Sequence, residues 1–428
     1  MSRRLFGTDG VRGAAGEVLT GELALRLGHA VTRDLEREAD RPRVLVIRDT
    51  RESGPMLEAA LAAGVAAAGG DVLLGGVLPT PAAPLLLQRY GFDLAAVISA
   101  SHNPYGDNGI KFFGGDGFKL TDETEARIEQ RLDDPVAGAR IGRVDHLHGT
   151  EEDYLRALQT RFAKLDLKGR RILLDCANGA THQVAPEIFR RLGADVTVVA
   201  AEPDGRNINE GVGSTHVEAL DVAGHDAAFA FDGDGDRVLA KDRTGVVVDG
   251  DELLALATLH RGAPGVAVTV MTNFGFHAAM REAGVEVATT KVGDRYVLEE
   301  LRGRGWQLGG EQSGHLIDMG FVPSGDGVAA ALLTLEALGS RDLADRGAME
   351  KLPQRLVNVR VADRDAAMAS EDLAEAVERE SAGLEGRGRV LVRPSGTEQL
   401  VRVMVEAPEP DEADDVCRRL VAVVEASS

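Results

Sequence analysis

Positive charge is scarce in this chain of 428 residues: 48 Lys and Arg stand against 69 Asp and Glu, a formal net charge of −21. Such a balance disfavours nucleic acid as a partner and repels anionic metabolites unless basic residues gather locally around a site. Cysteine is nearly absent. Cys176 and Cys417 give no disulfide framework and no Cys-x-x-Cys pair, and both read as small buried apolar residues. Aromatic residues make up only 4 %, so the core must be built from Ala, Val and Leu. No apolar run is long enough to span a membrane, because the richest stretch, 59–87, is broken by Asp71, Pro79, Pro81 and Pro84. The N-terminal residues carry no apolar signal region, and a cytoplasmic location is expected. Neither a Gly-Lys-Ser/Thr phosphate loop nor a Gly-x-Gly-x-x-Gly after a strand occurs, which leaves nucleotide cofactors without a motif.

What is present is an alternation of short β-branched runs with Ala/Leu/Arg/Glu stretches of helical period, the pattern of βαβ units in an α/β protein. It begins at Arg43–Arg48, restarts at Arg170–Asp175 and restarts again at Gly265–Val270, three uses of one plan. The tail differs. Arg389–Val392 and Leu400–Val405 read as strands before an amphipathic helix over 411–426, a small α+β unit. Polar and Gly-rich stretches near 148–152, 244–250 and 358–362 suggest four domains, 1–149, 150–245, 246–358 and 359–428.

Four segments concentrate chemistry where periodicity breaks. Ser99-Ala-Ser101-His102-Asn-Pro, following an apolar strand, is either a plain turn or a hydroxyl nucleophile with His102 and Lys111 at hand. Asp232-Gly-Asp234-Gly-Asp236-Arg237 sets three carboxylates at alternate positions, as a hard divalent cation requires. An EF-hand is excluded by Arg237 and Arg243, which stand where that loop needs Gly and Glu. In Gly310-Glu311-Gln312-Ser313-Gly314-His315, an extended loop would put residues 311, 313 and 315 on one face towards sugar hydroxyls. Arg393-Pro-Ser395-Gly396-Thr397, with Arg402 further on, offers guanidinium forks, hydroxyls and backbone N–H groups to a phosphate.

In this order, these segments make the chain resemble the α-D-phosphohexomutase superfamily, and within it the bacterial phosphoglucosamine mutases. Leu5-Phe-Gly-Thr-Asp-Gly-Val-Arg12, Asp107-Asn-Gly-Ile-Lys111 and Val292-Gly-Asp-Arg295 extend the likeness over nearly the whole chain. The resemblance implies three related α/β domains and a C-terminal α+β domain around a central cleft. It implies phosphoserine at Ser101, Mg²⁺ held by Ser101, Asp232, Asp234 and Asp236, and Lys111 as candidate general base beside Arg12, His102 and Arg237. Glu311, Gln312, Ser313, His315, Lys291 and Arg295 would bind the sugar phosphate, and Arg393, Ser395, Gly396, Thr397 and Arg402 the phosphate not being transferred. A hexosamine 1,6-bisphosphate would be intermediate and activator. The partners implied are small phosphosugars, with neither nucleic acid nor membrane, for a monomer or homodimer. The alternatives are a phosphomannomutase or phosphoglucomutase, and a phosphosugar-binding protein without activity. Two expectations turn on single residues. Ser99 should be dispensable, and Gln399, where the family usually has Pro, leaves the rigidity of the phosphate loop open.

Overall fold

Each of the three βαβ starts becomes an interior strand of its own sheet. In the computed structural model, which describes residues 5–7, 9–35, 40–136, 140–395 and 398–426, the first sheet runs Val11–Ala14, Asp107–Gly114, Leu94–Ile98, Arg43–Arg48, Asp71–Val77, Val144–His146. Arg43–Arg48 is parallel to both of its neighbours, while Asp107–Gly114 returns antiparallel. Residues 44–47 and 94–98 are wholly buried, which explains why they read as unbroken apolar runs rather than alternating ones. The helices Gly21–Leu35 and Gly54–Ala67 cross at reciprocal glycines: a Cβ at Gly28 would lie 2.2 Å from the Leu61 carbonyl oxygen, and one at Gly64 only 1.9 Å from that of Leu25.

The second sheet runs Val247–Val248, Val238–Asp242, Ala227–Phe231, Arg171–Asp175, Asp195–Val199, and the third Glu286–Thr290, Gly265–Thr269, Leu308–Gly310, Leu316–Asp318, Val322–Gly325. In each, a central parallel strand ends in one of the chemistry-bearing loops, the place where open α/β sheets bind ligands.

The chain forms two compact units, 1–271 with 287–346 and 272–286 with 347–428. In the second, the antiparallel strands Gln354–Arg360, Leu400–Glu406 and Arg389–Pro394 pack Val401, Val403 and Val405 against the helix Pro410–Ala426 through Val416, Leu420 and Val424. The helix Phe274–Glu282 joins this unit, with Phe274 N–H donating to Glu406 Oε2 at 2.8 Å. Residues 358–360, composed like a boundary, lie within a strand, and the chain leaves the first unit at Arg346. Among the described residues no helix is long and apolar enough to cross a membrane.

Candidate active site

The buried strand Leu94–Ile98 delivers Ser99, Ala100 and Ser101 from its carboxyl end. Ser101 is itself buried, with φ +52°, a left-handed conformation that a side chain adopts only under constraint. Its Oγ donates to Asp232 Oδ2 at 2.6 Å and lies 3.4 Å from His102 Nδ1. Asp232 comes from the next sheet, at the carboxyl end of Ala227–Phe231, followed by Asp234 and Asp236. One oxygen of each aspartate lies within 4.8 Å of the others, and all three residues are buried.

Asp234 Oδ2 accepts from Lys111 Nζ at 2.8 Å and from Thr80 Oγ1 at 2.6 Å. Oδ1 of Asp234 and Oδ1 of Asp236 are buried without a hydrogen-bond partner among the described residues. Burial, followed by the charges of Asp236 and Asp234, pushes the Asp232 carboxyl well above the usual range. Closely spaced carboxylates with oxygens left over are costly by themselves and fit a hard divalent cation.

Basic residues enclose this cluster. Lys111 projects from Asp107–Gly114, and although burial alone would lower its pKa, the charges of Asp234, Asp9 and Asp236 outweigh that and raise it. Lys111 is therefore an ammonium, and the base role expected for it requires loss of a proton that these carboxylates hold. Arg12 pairs with Asp9 and reaches the Ala100 carbonyl at 3.4 Å. Burial, then the nearby charges of Arg237 and Arg12, lowers the pKa of His102. Lys119 links Asp9 at 2.5 Å to Asp294 at 2.6 Å.

Beside them opens a cavity of about 400 Å³, lined among others by Asp9, Arg12, Asp236, Arg237, Glu311 and His315. Glu311 and His315 arrive there by a turn. Gly314 N–H donates to the Glu311 carbonyl at 3.0 Å, and at φ +91° a Cβ on Gly314 would lie 2.1 Å from the Val238 carbonyl oxygen, so only glycine lets the loop pack on the metal-loop strand. Glu311 Oε1 accepts from Gly293 N–H at 3.0 Å. Gly325 N–H donates to His315 Nε2 at 3.1 Å, which makes that nitrogen an acceptor and leaves the proton on Nδ1, 3.7 Å from Asp236 Oδ2.

In the second unit, Arg393 and Arg402 stand directly opposite each other on antiparallel strands. Burial, then the charge of Arg402, lowers the pKa of Arg393. Ser395 is buried, and its Oγ accepts from Glu398 N–H at 3.3 Å. Gly396 and Thr397 lie outside the described residues.

Comparison with known proteins gives one answer along the whole chain. Profiles of phosphoglucomutase/phosphomannomutase α/β/α domains I, II and III match residues 3–136, 152–245 and 249–356, and that of the C-terminal domain matches 356–423. The chain belongs to the phosphoglucomutase/phosphomannomutase family. It is 49 % identical over 442 residues to a phosphoglucosamine mutase from Pelotomaculum thermopropionicum, covering 98 % of each chain. It is 50 % identical over 441 residues to one from Saccharopolyspora erythraea, covering 99 % of each. Among solved structures, a family protein from Burkholderia thailandensis has the same fold, with a TM-score of 0.82 at 23 % identity over 98 % of both chains.

Within this family member, several side chains sit elsewhere than the sequence suggests. The loop at 311–315 is a turn rather than extended, so Ser313 is exposed and apart from Glu311 and His315. Gln312 donates through Nε2 to Asp249 Oδ2 at 3.2 Å, supporting the N-cap of the helix Gly250–Arg261 instead of facing the cavity. Arg295 is occupied by Asp122, by Glu125 at 3.3 Å and by the Leu120 carbonyl at 2.8 Å, a brace outside the cavity lining. Lys291 is exposed and also absent from that lining. Gln399 is itself tied down: its Oε1 accepts from Arg364 N–H at 3.1 Å, and its carbonyl accepts from Val361 N–H at 3.1 Å.

Ser99 Oγ donates to Asp49 Oδ2 at 2.6 Å and accepts from Ser101 N–H at 2.9 Å. Sequence reading passed over Asp9, Thr80, Lys119 and Asp294. Asp9 and Asp294 fall inside the quoted motifs, and that placement was the only signal available for them.

Proposed function

We propose that the chain interconverts glucosamine 6-phosphate and glucosamine 1-phosphate through phosphoserine at Ser101. The observation that carries the reading is Ser101 Oγ at 2.6 Å from Asp232 within a triad of buried carboxylates, in a chain about half identical to phosphoglucosamine mutases over its full length. The segments 1–149, 150–245, 246–358 and 359–428 would supply in turn the phosphoserine, the metal ligands, the sugar contacts and a second phosphate grip.

In the forward half-reaction the P–O bond to Ser101 Oγ breaks as a bond forms to the free sugar hydroxyl, and in net terms the proton of that hydroxyl passes to Ser101 Oγ. The resulting 1,6-bisphosphate then returns its other phosphoryl group to Ser101. Asp232 stands where a proton on Oγ is held. Arg12, Arg237 and Lys111 place fixed positive charge where the loose transition state carries negative charge. Glu311 and His315 offer an acceptor and a donor to the sugar. Asp232, Asp234 and Asp236 would hold Mg²⁺, whose charge would stabilise the transferring phosphoryl oxygens. An N-acetylphosphoglucosamine mutase from Aspergillus fumigatus, solved with GlcNAc-6P and magnesium, shares the fold with a TM-score of 0.70 at 17 % identity.

The test is to assay glucosamine, glucose and mannose phosphates side by side with the wild-type chain and Ser101→Ala. Glucosamine phosphate should be preferred and the variant should be inactive. Preference for glucose or mannose phosphate would replace the substrate, and more than a few per cent of activity in Ser101→Ala would remove the nucleophile.

A further inference from the structure

Behind Ser101 lies a fully buried arginine that the reaction just described does not use. Arg51, 0 % exposed, commits all five of its N–H donors. Nε donates to Asp49 Oδ2 at 2.9 Å. Nη2 donates to the carbonyls of Ser101 at 2.9 Å and Asn103 at 2.8 Å. Nη1 donates to the carbonyls of Asp107 at 3.0 Å and Pro104. From the second sheet's side, Asn209 Nδ2 donates to the same Ser101 and Asn103 carbonyls, at 2.9 and 3.1 Å. Asp49 in turn holds Ser99, which receives the Ser101 N–H.

We infer that Arg51, Asp49 and Asn209 are positioning residues for phosphoryl transfer, fixing the Ser101 loop by its carbonyl oxygens so that Oγ stays aimed at the aspartate cluster. The inference rests on the reading of Ser101 as the phosphorylated residue. Three physical points support it. A serine at φ +52° is strained and holds that conformation only where its surroundings over-determine it. Here they do so through both peptide groups flanking Ser101. A trans peptide points its N–H opposite to its C=O, so drawing the Ser101 carbonyl towards Arg51 turns the His102 N–H the other way and keeps carbonyl oxygen off an anionic group on Oγ. Finally, a guanidinium serving four carbonyls cannot be replaced by an ammonium with three donors on one atom.

Misplacing a reacting atom by about 1 Å can cost on the order of a hundredfold in rate. The decisive variant is Asn209→Asp, which keeps the side-chain shape and tolerates φ +59° but turns an oxygen towards two carbonyls. Arg51→Lys is the second. Each is compared with the wild-type chain for kcat and KM on glucosamine 6-phosphate, for the rate at which glucose 1,6-bisphosphate labels Ser101 by intact mass, and for urea midpoint. For folded variants the expected result is a ten- to hundredfold loss in kcat and in labelling rate, with KM within about twofold. Unchanged labelling in folded Asn209→Asp, or a rise in KM at constant kcat, overturns the positioning role. A wild-type chain that takes no label on Ser101 overturns the underlying nucleophile assignment and this inference with it.

Discussion

Replacing Thr80 by valine should weaken divalent-metal binding about tenfold while leaving the fold intact. Thr80 and Asp234 are each 1 % exposed, and the 2.6 Å bond from the threonine hydroxyl to Asp234 Oδ2 is one of two anchors on that oxygen, the other being Lys111. Valine keeps the side-chain shape and the backbone bond from residue 80 N–H to the Asp234 carbonyl at 2.8 Å, so the change removes one hydrogen bond to a charged acceptor. Such a bond contributes roughly 1.5–3 kcal/mol. Two effects on a bound cation then oppose each other. Losing a donor leaves more charge on the carboxylate, which favours the cation, but it also frees the group to rotate, which scatters the Oδ1 that should face the metal. Loss of a partner behind a metal ligand typically costs ten- to a hundredfold in affinity, so orientation wins. The lower end is expected here because Lys111 remains. Titration of Mg²⁺ into the metal-free protein gives the affinity, and a urea midpoint gives the stability. An unchanged Mg²⁺ affinity in a folded Thr80→Val protein would show that Asp234 is held by Lys111 alone, or is no ligand.

Gln312→Met should leave the ratio of glucosamine to glucose phosphate activity within about twofold, because Gln312 serves the helix N-cap; a collapse of that ratio in paired assays would return it to the sugar site. Burial pushes Asp326 up to about 7, against hydrogen bonds from Ala329 N–H and Tyr154. The folded protein thus binds this proton more tightly than the unfolded chain, whose ordinary value is 3.8, and stability falls as pH rises from about 4 to about 7, by up to roughly 4 kcal/mol. Urea midpoints across that window should fall less steeply in Asp326→Asn than in the wild type, and parallel curves would place the titration elsewhere. In Ser101→Ala, glucosamine 6-phosphate should bind at least tenfold more weakly in excess chelator than in Mg²⁺ by calorimetry; equal affinities would dissociate metal from phosphate binding.

What could be read from the sequence was what depends on neighbours along the chain. Buried parallel strands announce themselves as apolar runs, and the loops after them as Gly, Ser and Asp clusters, so Ser101 and Asp232 to Asp236 were found. Failures came where a side chain's direction depends on the turn it sits in. The period-two argument for residues 311, 313 and 315 assumed extended backbone, but the glycine at 314 closes a turn, which brings 311 and 315 together and turns 313 out. Arg51 left no trace because, Asp49 apart, its partners are backbone carbonyls of residues 101–107, and a carbonyl has no residue type. The expected break at 358–362 rested on composition: its residues 358–360 lie in the strand that pairs with Leu400–Glu406, and the family profiles change over nearby, at residue 356.

Charge within the first unit shows why metal and phosphate binding should be linked. Around the cavity and the aspartate cluster, the carboxylates of Asp9, Asp232, Asp234, Asp236, Asp294 and Glu311 outnumber the permanent cations of Arg12, Lys111, Lys119 and Arg237. Each cation is already engaged, Lys111 with Asp234, Arg12 with Asp9, Lys119 with Asp9 and Asp294, and Arg237 near Asp236. A phosphate entering this arrangement meets guanidinium and ammonium groups whose fields are largely cancelled. At an effective dielectric of about 20, one unit charge at 4 Å is worth about 4 kcal/mol, so the balance turns on a single charge. Once the three aspartates are committed to a divalent cation, Lys111 and Arg237 regain charge to offer an anion. A divalent cation on the aspartate cluster and a phosphate in the cavity beside it should therefore behave as a linked pair, each favouring the binding of the other.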